Sequence, residues 1–110
     1  HSRYTLRFVT CNANRASHSF YGKAKVLVTP EVIALQSYET IVCEIERSTG
    51  KVHRTWNAWS ATTGKHLHEF ALLMEENAIT SEAVYGGKSE WMKRPYEEVR
   101  PSTAYAARCY

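Results

Sequence analysis

The stretch Thr40-Ile41-Val42-Cys43-Glu44-Ile45-Glu46, followed by Ser48-Thr49-Gly50-Lys51 and then by Val52 to Trp59, decides the fold. Residues 40–46 alternate: Ile41, Cys43 and Ile45 on one side, Glu44 and Glu46 with Val42 on the other. That period of two is the mark of a strand with one face buried. Ser48 to Lys51 is a turn signal, and the apolar, aromatic run Val52 to Trp59 pairs back as a hairpin. Trp56 and Trp59 then differ in parity, so one of them faces solvent or a helix edge.

Downstream of the hairpin the period changes. Ser60-Ala61-Thr62-Thr63 supplies hydroxyls of the kind that cap helices. From Thr63 to about Glu76, Leu67, Phe70, Ala71 and Met74 fall at i, i+3, i+4 and i+7, one apolar stripe for packing on a sheet. The end charges oppose the helix dipole: Lys65 and His66 near the start, Glu75 and Glu76 at the end. Upstream, Tyr4 to Val9 alternates as a first strand, and Cys11 to His18 reads as a polar loop. Lys23 to Thr29 is a strand stopped by Pro30, and Val32 to Leu35 is another short one. After Asn77 the pattern weakens. Gly86-Gly87 is a break, Ser89 to Arg94 a short helix ended by Pro95, and Pro101 to Tyr110 a final edge strand or a disordered tail. The expected architecture is α+β: an antiparallel sheet of four to six strands, one main helix packed on one face, and a short second helix. It fills a single domain, 1–110, with residues 1–18 and 101–110 peripheral or flexible.

Composition limits function. The chain has 110 residues, 44% of them hydrophobic, ordinary for a packed core and too apolar for a disordered chain. No apolar run approaches the roughly 20 residues that cross a bilayer, and the N-terminal ten residues lack a signal-peptide core; an intracellular, cytoplasmic protein is expected. Cys11, Cys43 and Cys109 match no zinc or redox spacing and read as free thiols. The net charge of +3 is uneven: residues 1–30 hold five basic residues and no acid, and the rest hold nine basic residues against eleven Glu. A basic third of this kind suits an acidic partner or a phosphate backbone.

No catalytic constellation emerges. Ser60 to His66 imitates a phosphate-binding loop, but Trp59 stands where its first Gly is required and His66 where its hydroxyl is required. A bare anion site at the helix start, using Thr62, Thr63 and Lys65, survives that test. His66 and His68 diverge on a helix and cannot share a metal, so no metal and no cofactor is expected. His53, His66 and Lys65 could be drawn as a nuclease-like set, but geometry decides such sites, and no catalytic residue is assigned. The candidates for contact with a partner are Arg3, Arg7, Arg15, Lys23 and Lys25 with Trp59, Trp91 and Tyr96, because Tyr, Trp and Arg dominate protein interfaces.

Three stretches carry a resemblance: Ser19-Phe20-Tyr21-Gly22-Lys23-Ala24-Lys25-Val26, Ser37-Tyr38-Glu39-Thr40-Ile41-Val42, and Trp59-Ser60-Ala61-Thr62-Thr63-Gly64-Lys65-His66-Leu67-His68-Glu69-Phe70. In order and spacing they resemble a family of small uncharacterised proteins and domains of phages and mobile elements of Gram-positive bacteria. The pattern covers residues 19–70, with Glu39 where Asn or Asp is frequent and Trp59 where Tyr is frequent. The family has no settled activity, so the resemblance assigns no residue a role. It implies a context: a phage accessory protein that binds and inhibits a bacterial host or defence protein, with anti-CRISPR inhibitors as the model. The shared motif would then be scaffold, and the partner surface would lie in the basic N-terminal arm and the aromatic C-terminal tail. Two alternatives stay open, a nucleic-acid-binding protein using the basic third and a small hydrolase or nuclease.

Overall fold

The computed structural model describes residues 7–11, 15–20 and 24–107, with side chains from Ala24 to Tyr105. Six strands form one antiparallel meander in chain order: β1 (Arg7–Cys11), β2 (Arg15–Phe20), β3 (Ala24–Val28), β4 (Val32–Ser37), β5 (Thr40–Glu46) and β6 (Val52–Arg54). The four strands from β3 to β6 carry the buried core. Three helices follow: α1 (Ala61–Glu76), α2 (Lys88–Met92) and α3 (Pro101–Ala107). None of the described helices is long and apolar enough to cross a membrane.

The expected α+β class holds, and β5 occupies the residues that alternation assigns to it. Its facing does not. The register steps from Leu35↔Cys43 to Gln36↔Ile41, so Val42 is an extra residue, a β-bulge. The bulge puts Val42 beside Cys43 and Ile45 in the main core and sends Ile41 to the opposite face with Leu27 and Ala34. A strict period of two places Ile41 and Val42 the other way round. The bulge also shortens the return strand. Thr55 still donates its N–H to Val42 O (3.1 Å) and its hydroxyl to Ile41 O (2.8 Å), and then the chain leaves the ladder. β6 is therefore three residues long instead of running to Trp59, and neither tryptophan stands on it. Both Trp56 and Trp59 are partly buried against the main core.

Helix α1 packs on that core through Leu67, Phe70, Ala71 and Met74, the stripe read from spacing. Its start is capped by Ser60, whose hydroxyl accepts the Thr63 N–H at 3.1 Å. Its end closes with paired bonds, Ile79 N–H to Met74 O (3.0 Å) and Ala78 N–H to Glu75 O (3.2 Å), with Ala78 at φ 54°. The macrodipole receives no help, since no acid stands in the first turn and no base in the last. Tertiary packing holds the helix.

Two other expectations are corrected. Residues 15–18 belong to β2 rather than a loop, because a strand paired on both sides satisfies its backbone whatever its side chains. The C-terminal segment is neither an edge strand nor a loose tail: it forms α3, with Thr103 fully buried. Residues 4–6 of the expected first strand and Cys109 lie outside the described residues, as does the side chain of Cys11. Cys43 is a free thiol buried in the core, and burial drives its pKa well up.

Candidate functional site

The three motif stretches meet at one end of the sheet. Phe20 pairs with Ala24, Ala24 with Ser37, and Ser37 with Thr40, so β2 ends, β3 begins, and β4 turns into β5 at the same level. The N-terminal turn of α1 lies over it. Buried between them is a polar cluster. Ser37 Oγ is 2.8 Å from His66 Nδ1 and 3.2 Å from Thr63 Oγ1. Ser37, Thr63 and His66 are all at most 3% exposed, so these bonds are made away from water. Burial and, after it, the Lys65 ammonium push the His66 imidazole below its ordinary pKa of 6.5, which keeps it neutral at pH 7.

Tyr38 covers this cluster. Its ring lies 5.8 Å from the His66 ring, tilted by 51°, and is itself 49% exposed. Its backbone has φ 56°, a left-handed conformation that favours Gly or Asn. The Gln36 side-chain amide holds the turn by donating to Tyr38 O at 2.8 Å. On α1, Thr62 and Lys65 stand exposed.

The structure does not bring the three residues of the expected anion site to one surface. Thr62 and Lys65 face outward, but Thr63 turns inward: its N–H is taken by the Ser60 cap and its hydroxyl by Ser37. The partner-facing candidates scatter. Lys25 is half-buried in β3, and Trp59 is half-buried with its ring under Lys88 Nζ, 5.0 Å from the centroid. Tyr96 is 45% exposed. Trp91, at 1% exposed, is a core residue and not a contact residue, because α2 is too short to stand without its anchor. Arg3 and Lys23 lie outside the described residues, as do the side chains of Arg7 and Arg15. Sequence reasoning missed Tyr38, Ser37 and the role of His66. Tyr38 carries no cue for its left-handed φ, and the Ser37–His66 contact joins residues 29 apart.

A second group of charges ties the C-terminal segment down. His53 Nδ1 is 2.7 Å from Glu97 Oε2, and its Nε2 is 3.6 Å from Glu46 Oε1. Arg100 reaches Glu46 at 3.4 Å and the fully buried Glu44 at 3.8 Å. His53 and His66 are thus the two histidines of the nuclease-like drawing, and they sit in separate networks. A cleft of about 420 Å³ opens beside α2 over Trp91. Its charges are already matched: Arg94 pairs with Glu82 at 3.0 Å and donates to Ala83 O, and Lys93 pairs with Glu90. Among the described residues no cluster of three His, Cys or Glu side chains could hold a metal ion.

The state of His66 has a measurable consequence. A neutral histidine whose folded pKa lies below its unfolded value stabilises the fold fully above the unfolded value, about 6.5. That contribution is lost as pH falls through and below 6.5, where only the unfolded chain takes up the proton. Urea midpoints should therefore drop between pH 7.5 and pH 5.5, and the drop should shrink in His66→Gln. The lowered pKa values of Glu46 and Glu82 act in a separate window, with stability lost only as pH falls below about 5.

In comparison with known proteins, residues 10–87 fit the model of a family of unknown function, DUF8033. No curated protein and no solved structure matches the chain.

Proposed function

We propose, for a chain that belongs to the DUF8033 family, that it works as a stoichiometric binding protein and applies the Tyr38 end of its sheet to another protein. The carrying observation is the contrast at that end. His66 and Ser37 are committed to a buried bond that holds α1 on the sheet, whereas Tyr38 sits exposed above them on a strained backbone. A left-handed residue other than Gly costs about 1–2 kcal/mol, and such strain gathers at functional sites. Tyrosine is also among the side chains that carry interface energy. Thr62 and Lys65 add an exposed hydroxyl and an exposed charge on the first turns of α1, the helix end that carries His66.

The finer reading follows from the resemblance set out above. It is a phage- or mobile-element-borne inhibitor of a bacterial host or defence protein, of the anti-CRISPR kind, acting inside the bacterial cell. The test is a complex of defined stoichiometry between the purified chain and the bacterial protein it captures. Tyr38→Asn combined with Lys65→Glu should weaken that complex at least ten-fold with little change in melting temperature, since Asn accepts the left-handed backbone. Failure to form a stoichiometric complex, or retention of full affinity by the double variant, sinks the proposal. Binding of DNA or RNA that collapses with added salt would put the nucleic-acid reading in its place.

A further inference from the structure

The edge of the sheet beyond β6 and the face away from α1 already hold an extended chain. The segment after Pro95 runs beside β6, pairing Tyr96 with Arg54 in parallel, and the Glu97 N–H donates to Arg54 O at 2.8 Å. It then lays Val99 on Leu27, Ala34 and Ile41. Arg100 follows: its backbone N–H donates to Glu44 Oε2 at 3.2 Å, and its guanidinium lies 3.8 Å from Glu44 Oε1 and 3.4 Å from Glu46 Oε2. A backbone bond to a strand edge, an apolar contact and a matched charge are the elements by which sheet edges recognise extended peptides.

Two features mark the segment as a replaceable occupant. The groove-forming residues, from Leu27 to Arg54, lie inside the family-matched stretch 10–87, and the segment lies outside it. Its tie to His53 is also open to solvent, with Glu97 44% exposed, and holds the segment weakly. Glu44, at 1% exposed, is the fixed element. A buried carboxylate left without a cation is costly, so the groove selects for arginine.

We propose that this groove is a docking site for an extended segment of a partner protein carrying an apolar β-branched residue directly followed by arginine, and that Val99 and Arg100 fill it in cis. The occupant in cis is a competitor, so the partner's apparent affinity is reduced by the fraction of time the groove is open. The groove lies toward the Glu46 end of β5, away from Tyr38, so the two surfaces stand or fall separately.

The probe is a labelled synthetic peptide with the sequence of residues 94–102, and beside it the same peptide carrying Arg100→Glu. The host is the full chain, either unchanged or with Val99→Ser and Arg100→Ala to loosen the segment in cis. The loosened chain should bind the first peptide at least ten-fold more tightly than the unchanged chain does and should ignore the second. Adding Glu44→Gln to the loosened chain should abolish binding. If the loosened chain does not fold, Glu97→Ala, which removes only the side-chain bond to His53, serves as the host. The proposal is overturned by no binding to a folded host, by equal binding of both peptides, or by a host that dimerises through its own segment in place of taking up the peptide.

Discussion

Trp91→Ala should cost about 3–5 kcal/mol of folding stability, the range for deleting a large buried ring, and should lower the melting temperature on the order of 15–30 °C. The indole is 1% exposed and belongs to the main core. Tyr85 meets its ring edge-on at 6.0 Å, and the Arg94 guanidinium lies 5.8 Å from it on another side. Helix α2 has five residues, an N-cap at Gly87 without a side-chain bond, and no intrinsic means of staying folded. Its ring is what attaches it. Losing the ring should therefore also loosen Arg94, which bridges Glu82, Ala83 O and Val52 O, and with it the start of the C-terminal segment. Chemical denaturation checks the first effect, and amide exchange at Lys93 and Glu97 the second. A Trp91 that served only as a contact residue would change stability by no more than about 0.5 kcal/mol; that result would contradict the burial.

What was legible in the sequence was what local chemistry determines. The alternation of residues 40–46, the turn at Gly50 and the stripe of α1 were readable because each depends on neighbours a few positions away. Gly50 adopts φ 76° in that turn, as its place there suggests. The bulge at Val42 was not readable, because the residues around it are apolar on both sides of the chain and only the register with β4 decides which one is extra. β2 was hidden by its polar composition, since pairing with two neighbours makes up for weak propensity. The candidate site was readable in part. The motif stretches that carried the family resemblance do converge, but the convergence comes from the meander, and it exposes Tyr38 while burying Ser37, Thr63 and His66. The C-terminal segment was the least legible part, because its attachment depends on polar partners far apart in the chain, such as His53 with Glu97, 44 residues apart, and Glu31 with Ser102, 71 residues apart.

The two faces of the sheet are held differently, and this bears on which parts can change. The α1 face is packed by large apolar side chains, where removal of volume is expensive. The opposite face has a small apolar cluster of Leu27, Ala34 and Ile41 under Val99, and charged bonds supply the rest. Exchange and partner binding are therefore easier to build on the second face, while the first sets global stability.

Gly64→Ala should destabilise the fold by about 1–2 kcal/mol, opposite in sign to the usual helix effect. Alanine in place of glycine inside a helix ordinarily gains about 1 kcal/mol. Here a Cβ at residue 64 would stand 2.5 Å from Trp59 Cζ2, 3.0 Å from Cε2 and 3.1 Å from Tyr85 Oη. The indole cannot easily yield. Its N–H donates to Tyr85 Oη at 3.2 Å, and Lys88 lies over its ring. Forcing a methyl into a packed contact costs about 1–3 kcal/mol, and that outweighs the propensity gain. A double-mutant cycle separates the two terms. In a Trp59→Ala background the obstruction is gone, and Gly64→Ala should become neutral or stabilising by up to about 1 kcal/mol. The sign of the effect at residue 64 would then depend on the ring at residue 59. Equal effects in both backgrounds would mean that the indole does not rest on α1, and that the contact between the chain leaving β6 and the helix start is drawn wrongly.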